Sequence, residues 1–229
     1  DNIVFFGGAG VSTESGIPDF RSVDGLYHQK FRYPPETMLS HSFYMAHKAE
    51  FYEFYRAKML APDAQPNAAH RKLAQWEQEG KLKAVITQNI DGLHQKAGSR
   101  NVLELHGGVL RNYCMTCGKP YSLPDMLARR EKAPDGIPRC IECTGIIKPD
   151  VVLYEEGLDE DVMDRALRYI HDADMLIIGG TSLVVYPAAG LVRYYRGHKL
   201  VVINKGTVGA DIGADLVIDG PIGQVLSQV

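Results

Sequence analysis

Short apolar runs punctuate the chain at 3–6 (IVFF), 84–86 (AVI), 102–105 (VLEL), 151–153 (VVL), 175–178 (MLII), 200–203 (LVVI) and 216–218 (LVI). Most are near-continuous rather than alternating, and they are rich in β-branched residues. Strands of a parallel sheet read this way because both of their faces are covered. Helical patterns lie between several of the runs. Residues 67–79 begin at Asn67, a good N-cap. Residues 159–171 (DEDVMDRALRYIH) put acids in the first turn and arginines later, the order that the helix dipole favours. Residues 221–229 open on Pro221, a residue favoured in a first helical turn. Strands alternating with helices predict an α/β fold built on a doubly wound, Rossmann-like parallel sheet.

Two stretches break that rhythm. Residues 33–61 are aromatic and helical, with Phe43, Tyr44, Phe51, Tyr52, Phe54 and Tyr55. Residues 111–147 carry the cysteines, several prolines and little apolar periodicity. Both read as insertions that together form a smaller helical and zinc-binding module. The expected division assigns 1–32, 82–110 and 148–229 to the Rossmann-like domain, and 33–81 with 111–147 to the smaller one. The hinge between them is a natural place for a ligand cleft.

Composition narrows the choice of function. A chain of 229 residues, 45% hydrophobic, can bury a sizeable core as one large domain or as a domain with an attached module. A net charge of −3 provides no basic field for nucleic acid. The basic cluster at Arg129, Arg130 and Lys132 reads as a solvated helix face. No apolar run approaches the roughly 18 residues of a membrane span. The expectation is a monomer with neither nucleic acid nor membrane as partner. Asp1 and Asn2 stand directly before the first apolar run, an abrupt start that suggests a short segment upstream.

All 4 cysteines fall in two Cys-x-x-Cys pairs, Cys114 with Cys117 and Cys140 with Cys143. Two such knuckles converge on a tetrahedral four-thiolate zinc site. Thiolates then fill every coordination position, so the metal is expected to be structural. It would hold together a segment too poor in apolar residues to fold alone, and such sites supply roughly 10–16 kcal/mol of apparent binding energy. A zinc-ribbon nucleic-acid binder is the alternative, and the near absence of flanking positive charge counts against it. The lack of cysteines elsewhere fits a reducing compartment, the cytoplasm.

The first apolar run leads into Gly7-Gly8-Ala9-Gly10-Val11-Ser12. Glycines there let a backbone approach a pyrophosphate, and a following helix would aim its amides at it. Gly8-x-Gly10 begins a dinucleotide fingerprint, but Thr13 stands at the third glycine position. No acidic residue follows on a second strand about 20 residues later, as a hydride-transfer enzyme would want. The chain enters instead an irregular loop ending in Pro18, Asp19, Phe20 and Arg21: an acid, a ring and a base. Other predicted strand ends are also small or polar: Gln88-Asn89-Ile90-Asp91, His106-Gly107-Gly108, Gly179-Gly180-Thr181-Ser182 and Asn204-Lys205. In open α/β sheets ligands bind beyond such ends. His106 is the best catalytic candidate. Two glycines follow it, and a free pKa of about 6.5 suits a general base. His94 lies on a predicted helix and reads as structural.

The glycine loop, Gly16-Ile17-Pro18-Asp19-Phe20-Arg21, Thr87-Gln88-Asn89-Ile90-Asp91, His106-Gly107 and the four-cysteine module occur in an order that resembles the sirtuins, in their bacterial form. These are NAD-dependent protein lysine deacylases. The resemblance runs from Ile3 to the last predicted helix, and it implies a Rossmann-like domain with a small zinc-and-helix domain. It implies that Gly8, Ala9, Gly10, Thr13 and Asp19 line the cofactor site, with Phe20 over the reactive ribose and Arg21 on the phosphates. Gln88, Ile90 and Asp91 would hold the ribose and nicotinamide side, with Asn89 near the ribose. Gly180, Thr181, Ser182, Asn204, Lys205 and Ile222 would bind the adenosine half.

The implied reaction consumes NAD as a co-substrate. An acyl-lysine oxygen attacks the ribose carbon that nicotinamide leaves, and His106 takes a proton from a ribose hydroxyl, with Asn89 and Asp91 assisting. Lysine, nicotinamide and O-acyl-ADP-ribose result. The acyl peptide would pair as a strand between Val152-Leu153-Tyr154 and Leu183-Val184-Val185. Many sirtuins carry glycine where Glu155 stands. That departure sets the local backbone apart from the family pattern and adds negative charge, and Glu155, Glu156, Asp159, Glu160 and Asp161 either favour basic peptides or simply open a helix. Sirtuins that remove succinyl or malonyl groups carry Tyr-x-x-Arg, where this chain has Tyr52-Glu53-Phe54-Tyr55. Without that arginine, acetyl or another uncharged acyl group is expected, longer chains included. The rival functions are protein ADP-ribosyl transfer and a catalytically idle NAD-binding module.

Overall fold

The computed structural model describes residues 2–20, 25, 31–206, 208 and 212–229. The strands are β1 (Ile3–Gly7), β2 (Leu82–Thr87), β3 (Val102–Glu104), β4 (Gly107–Cys114), β5 (Pro120–Ser122), β6 (Ile147–Val151), β7 (Met175–Gly179), β8 (Leu200–Asn204) and β9 (Leu216–Asp219). Six of them form a sheet in the order β3-β2-β1-β7-β8-β9, and every pairing in it is parallel. The chain builds outward from β1 through β2 to β3, then crosses to β7 on the other side of β1. The carboxyl ends of β1 and β7 therefore flank the switch point where such sheets open a crevice.

The remaining strands form an antiparallel sheet in the order β5-β4-β6. The apolar run at 151–153 belongs here, not in the parallel sheet as expected. Val151 closes β6, whose residues alternate between buried and half-buried, one face to the core. Val152 and Leu153 lie beyond the strand. The other predicted runs are all strands of the parallel sheet.

The helices are α1 (Pro35–Met38), α2 (His41–Ala46), α3 (Lys48–Phe54), α4 (Ala68–Gln78), α5 (Leu93–Lys96), α6 (Leu123–Lys132), α7 (Glu160–Asp172) and α8 (Ile222–Leu226). Asn67 caps α4 by accepting from the Ala69 amide at 2.9 Å. Asp159 caps α7 through the Val162 amide at 2.9 Å, and α8 follows Pro221. The glycine loop is not followed by the expected helix. It winds into two short 3-10 turns, Ala9–Val11 and Thr13–Ser15. Among the described residues no helix is long and apolar enough to cross a membrane.

Alternation along β1 splits its side chains between two cores. Val4 and Phe6 pack with Ile86, Leu103 and Ile178 against Ala166 and Ile170 of α7. Phe5 faces the other way, with Val85 and Ile177 against Leu73 of α4 and Leu226 of α8. A third core joins the aromatic helices to the cysteine stretch: Phe43, Tyr44, Phe51 and Tyr52 pack with Tyr121, Met126 and Ile147. Segment 33–81 thus divides in its packing. Helices α1 to α3 join the third core, whereas α4 covers the parallel sheet.

Candidate active site

Gly8 and Gly10 are small for a reason the sequence did not reveal. A Cβ on Gly8 would lie 2.8 Å from the Thr181 Cβ, and one on Gly10 would lie 2.8 Å from the Gly180 Cα. The two loops at the switch point press together there. The Gly10 amide donates to the Gly180 carbonyl at 2.8 Å and the Gly8 amide to the Gly179 carbonyl at 3.3 Å. These amides thus tie β1 to β7 and do not form an open cradle.

The ends of the neighbouring strands are wired together at this point. The Gln88 amide donates to the Gly7 carbonyl at 3.0 Å, and its side-chain Nε2 donates to Thr181 Oγ1 at 3.1 Å. Ser12 is wholly buried yet polar. Its hydroxyl donates to Asp91 Oδ2 at 2.6 Å and accepts from Asn89 Nδ2 at 3.1 Å. The other oxygen of Asp91 caps α5 through the Leu93 amide at 2.9 Å. Ser12 is a candidate site residue that the sequence alone did not single out. Its signal was a serine just after a glycine turn, a polar group that must find partners if buried.

His106 sits in the turn between β3 and β4. Its position depends on Gly107, which has φ 72 and whose Cβ would lie 2.0 Å from the Asp150 carbonyl oxygen of β6. No side chain fits there. The His106 carbonyl accepts from the Val152 amide at 3.0 Å. Arg111 braces the same turn with ion pairs to Glu104 at 2.6 Å and Asp150 at 2.8 Å. The ring Nδ1 lies 2.9 Å from the Gln88 carbonyl oxygen. A carbonyl only accepts, so Nδ1 carries the hydrogen and Nε2 keeps its lone pair. Burial pushes the His106 pKa down, and the bond to Gln88 pushes the other way. The ring is therefore a neutral base at physiological pH.

His94 points into the protein, where its ring meets that of His70 with centroids 4.7 Å apart. Burial lowers their pKa values to about 3 for His94 and about 4 for His70. Farther along the sheet, Asn204 Nδ2 donates to the Gly206 carbonyl at 3.2 Å, and Lys205 is exposed. Ile222 is buried, with its side chain against Gly179 in the second core. Ala9 is half-buried and Thr13 exposed, while Ser182, Ile90, Asp19 and Phe20 are half-buried. Phe20 packs on the third core. Arg21 lies outside the described residues.

The two segments expected to hold the peptide differ in exposure along their length. Leu153 and Leu183 are buried, whereas Tyr154 and Val184 are exposed. Val152 and Val185 are half-buried. The backbone of Tyr154 is already engaged, donating to the Leu39 carbonyl at 3.0 Å and accepting from the His41 amide at 2.9 Å. Glu155 has φ 76, a left-handed conformation that favours glycine. Its carboxylate accepts from the Ser42 amide at 2.9 Å and the Ser42 hydroxyl at 3.0 Å, so it fastens this segment to the start of α2. Glu156 accepts from Lys148 at 3.2 Å and pairs with His41 at 2.9 Å. These carboxylates have local partners, and Asp159 caps α7. Of the two readings of the acidic stretch, local capping and bracing is the one the contacts support. Tyr52 and Tyr55 are both wholly buried, with the Tyr52 hydroxyl donating to the Ile147 carbonyl at 2.5 Å.

The four cysteine sulfurs lie within 4.8 Å of one another. Two pairs across the knuckles measure 3.4 Å (Cys114 and Cys143) and 3.7 Å (Cys117 and Cys140). Tetrahedral zinc with Zn–S of about 2.3 Å requires sulfurs about 3.8 Å apart. The donor set therefore fits zinc, and four thiolates leave no position for a substrate. A Cβ on Gly145 would lie 2.9 Å from the Cys114 sulfur, so the second knuckle passes the first without room for a side chain.

A doubly wound sheet with polar strand ends gathered at its switch point, next to a closed thiolate module, defines a dinucleotide-type enzyme with a structural metal site. Comparison with known proteins gives the family. Residues 8–187 match the model of the Sir2 family. The NAD-dependent protein deacetylase of Clostridium acetobutylicum is 60% identical over 230 residues, covering 100% of this chain and 92% of the relative. That of Staphylococcus aureus is 42% identical over 231 residues, covering 100% and 93%. A solved Sir2 complex with p53 peptide and NAD+ superposes with a TM-score of 0.86 at 40% identity, covering 99% of this chain and 91% of that one. A Sir2 structure bound to a propionylated peptide gives 0.86 at 39% identity, with the same coverage. The chain belongs to the Sir2 family.

Proposed function

We propose that this protein is an NAD-dependent protein lysine deacetylase, converting acyl-lysine, NAD and water to lysine, nicotinamide and O-acyl-ADP-ribose. The observation that carries this reading is His106, a neutral imidazole with Nδ1 pinned to Gln88 and Nε2 left basic, beside the Ser12–Asp91–Asn89 cluster. Bound NAD supplies a ribose carbon that becomes electrophilic when nicotinamide leaves.

The chain's own groups divide the remaining work. His106 Nε2 takes the proton from a ribose hydroxyl, a contribution of roughly 10²–10⁴ in rate. Asn89 and Asp91, locked by Ser12, orient the ribose and nicotinamide side, with Gln88 and Ile90 alongside. Gly8, Ala9, Gly10 and Thr13 flank the phosphates with Arg21. Asp19 and Phe20 close over the ribose. Gly180, Thr181, Ser182, Asn204 and Lys205 hold the adenosine half, and Ile222 supports that end from the core. The peptide lies between Val152-Leu153-Tyr154 and Leu183-Val184-Val185. Cys114, Cys117, Cys140 and Cys143 hold one zinc. The reading includes a monomer acting in the cytoplasm on acetylated proteins, without nucleic acid, and a small domain made of the aromatic helices and the cysteine stretch.

The test is incubation with an acetyl-lysine peptide, with and without NAD, followed by mass analysis. Stoichiometric nicotinamide and O-acetyl-ADP-ribose support the reading. ADP-ribose attached to protein, with the acetyl group retained, would mean protein ADP-ribosyl transfer. With Tyr55 in place of arginine, acetyl-lysine peptide is expected to be hydrolysed far faster than succinyl-lysine peptide.

A further inference from the structure

Tyr121 has a bonding pattern that packing alone does not require. Its ring is buried in the third core. Its oxygen lies 3.1 Å from the Cys140 sulfur and 3.1 Å from the Ile141 amide nitrogen. The direction of both bonds is fixed by chemistry. A backbone amide only donates, so the phenol oxygen accepts from Ile141 and its own hydrogen goes to the sulfur. Among the described residues, Cys140 is the one cysteine that receives a side-chain hydroxyl. Its sulfur also accepts from the Glu142 amide at 3.4 Å.

The connection spans the two knuckles. Tyr121 stands on β5, just after the first knuckle, while Cys140 opens the second. Residues 133–146, around that second knuckle, contain no helix or extended strand. The phenol therefore anchors Cys140 to a regular element by a route that does not pass through the metal. A further group acts on the phenol. The Arg129 guanidinium of α6 lies 5.1 Å from the Tyr121 ring centroid. A cation over an aromatic face withdraws electron density from it, which strengthens the O–H as a donor.

We propose that Tyr121 is a positioning residue of the zinc site, controlling how firmly the metal is retained through its hydrogen bond to Cys140, and that Arg129 acts through it. This rests on the four-cysteine site holding zinc. Outer-shell partners of this kind orient a ligand and restrain its exchange, and losing one typically weakens metal binding by about 10–100-fold.

The experiment measures zinc transfer from the intact, zinc-loaded protein to a chromogenic chelator. Tyr121→Phe keeps the ring and removes only the hydroxyl, and it is expected to release zinc about 10–100 times faster. Arg129→Gln is expected to release it about 2–5 times faster, the scale of an exposed cation–π contact. Added to Tyr121→Phe it should change nothing further. Phe51→Leu, in the same core but with ring contacts to Tyr44, Tyr52 and Tyr55, controls for loss of stability alone. A release rate in Tyr121→Phe equal to that of the wild type, or raised only as much as in Phe51→Leu, would overturn the proposal. In cobalt-loaded protein the thiolate-to-metal charge-transfer band should shift in Tyr121→Phe and not in Phe51→Leu. Metal analysis comes first: a wild-type protein that binds no zinc would refute the zinc site itself, a result distinct from unaltered release.

Discussion

The two sheets of this protein are stabilised in opposite ways. The parallel sheet is covered on both faces, and β1 alone supplies Val4 and Phe6 to one core and Phe5 to the other. Hydrophobic burial suffices to hold it. The antiparallel sheet has a single core on one side. Its far end is a cysteine cluster among exposed side chains such as Met115 and Ile141. Its four cysteines are placed to hold a metal, and no comparable cluster lies in the first sheet among the described residues. The candidate base sits where the two meet: β3 of one sheet ends at Glu104, His106 lies in the turn that follows, and Gly107 begins the other sheet. The parallel-sheet region supplies the wired strand ends, and the antiparallel one supplies the wall against which Gly107 packs.

The largest effect should come from removing the metal. Cys140→Ala is expected to lose zinc, and with it much of the roughly 10–16 kcal/mol that such a site contributes. Hydrogen exchange should then show protection lost in β4, β5 and β6 but retained in β1, β2 and β7. Uniform loss across both sheets would erase the distinction between them. His106→Ala is next, an expected fall of about 10²–10⁴ in turnover with an unchanged melting transition. A lower melting temperature would make the residue part of the scaffold.

Acid should loosen the parallel-sheet region through its buried histidines. His70 and His94 remain neutral in the fold down to about 4 and about 3, whereas in the unfolded chain they take up protons from about 6.5 downward. Stability is therefore full above about pH 6.5 and declines as pH falls toward those lower values. Replacing both by phenylalanine should flatten that decline in denaturation curves recorded between pH 7 and 4. The smallest effect is expected at Glu155. Glu155→Gly relieves a left-handed residue, a strain of about 1–3 kcal/mol, but removes two hydrogen bonds of about 1 kcal/mol each, so stability should move little. The change should appear instead as a raised KM for peptide with kcat unaltered. A KM equal to that of the wild type would mean this segment needs no fastening.

How far the sequence could be read followed the same division. Continuous apolar runs marked the parallel strands because burial on both faces leaves no polar positions to confuse the pattern. Strand β4 was invisible: it opens on two glycines, exposes Leu110, and slips register between Gly108 and Asn112. Val151 to Leu153 looked like another parallel strand because a three-residue apolar run does not say which sheet it joins. The cysteine module was legible from ligand spacing alone. Tyr121 was not, since nothing local connects it to Cys140. At the site, motif order singled out His106, Asn89 and Asp91 as candidates. Ser12, and the role of Gly8 and Gly10 in packing against β7, needed the strands in place. Glu155 stood out for its backbone and its charge, and the backbone is indeed left-handed, but its role as a fastening to Ser42 needed the fold.

Burial holds His106 neutral, and its bond to the Gln88 carbonyl keeps the hydrogen on Nδ1 and leaves Nε2 basic. Nitrogen-15 chemical shifts of the labelled histidine rings, assigned by comparison with His106→Ala at neutral pH, read this directly. A protonated Nδ1 and an unprotonated Nε2 are expected for residue 106. A hydrogen on Nε2, or a doubly protonated ring at pH 7, would contradict it.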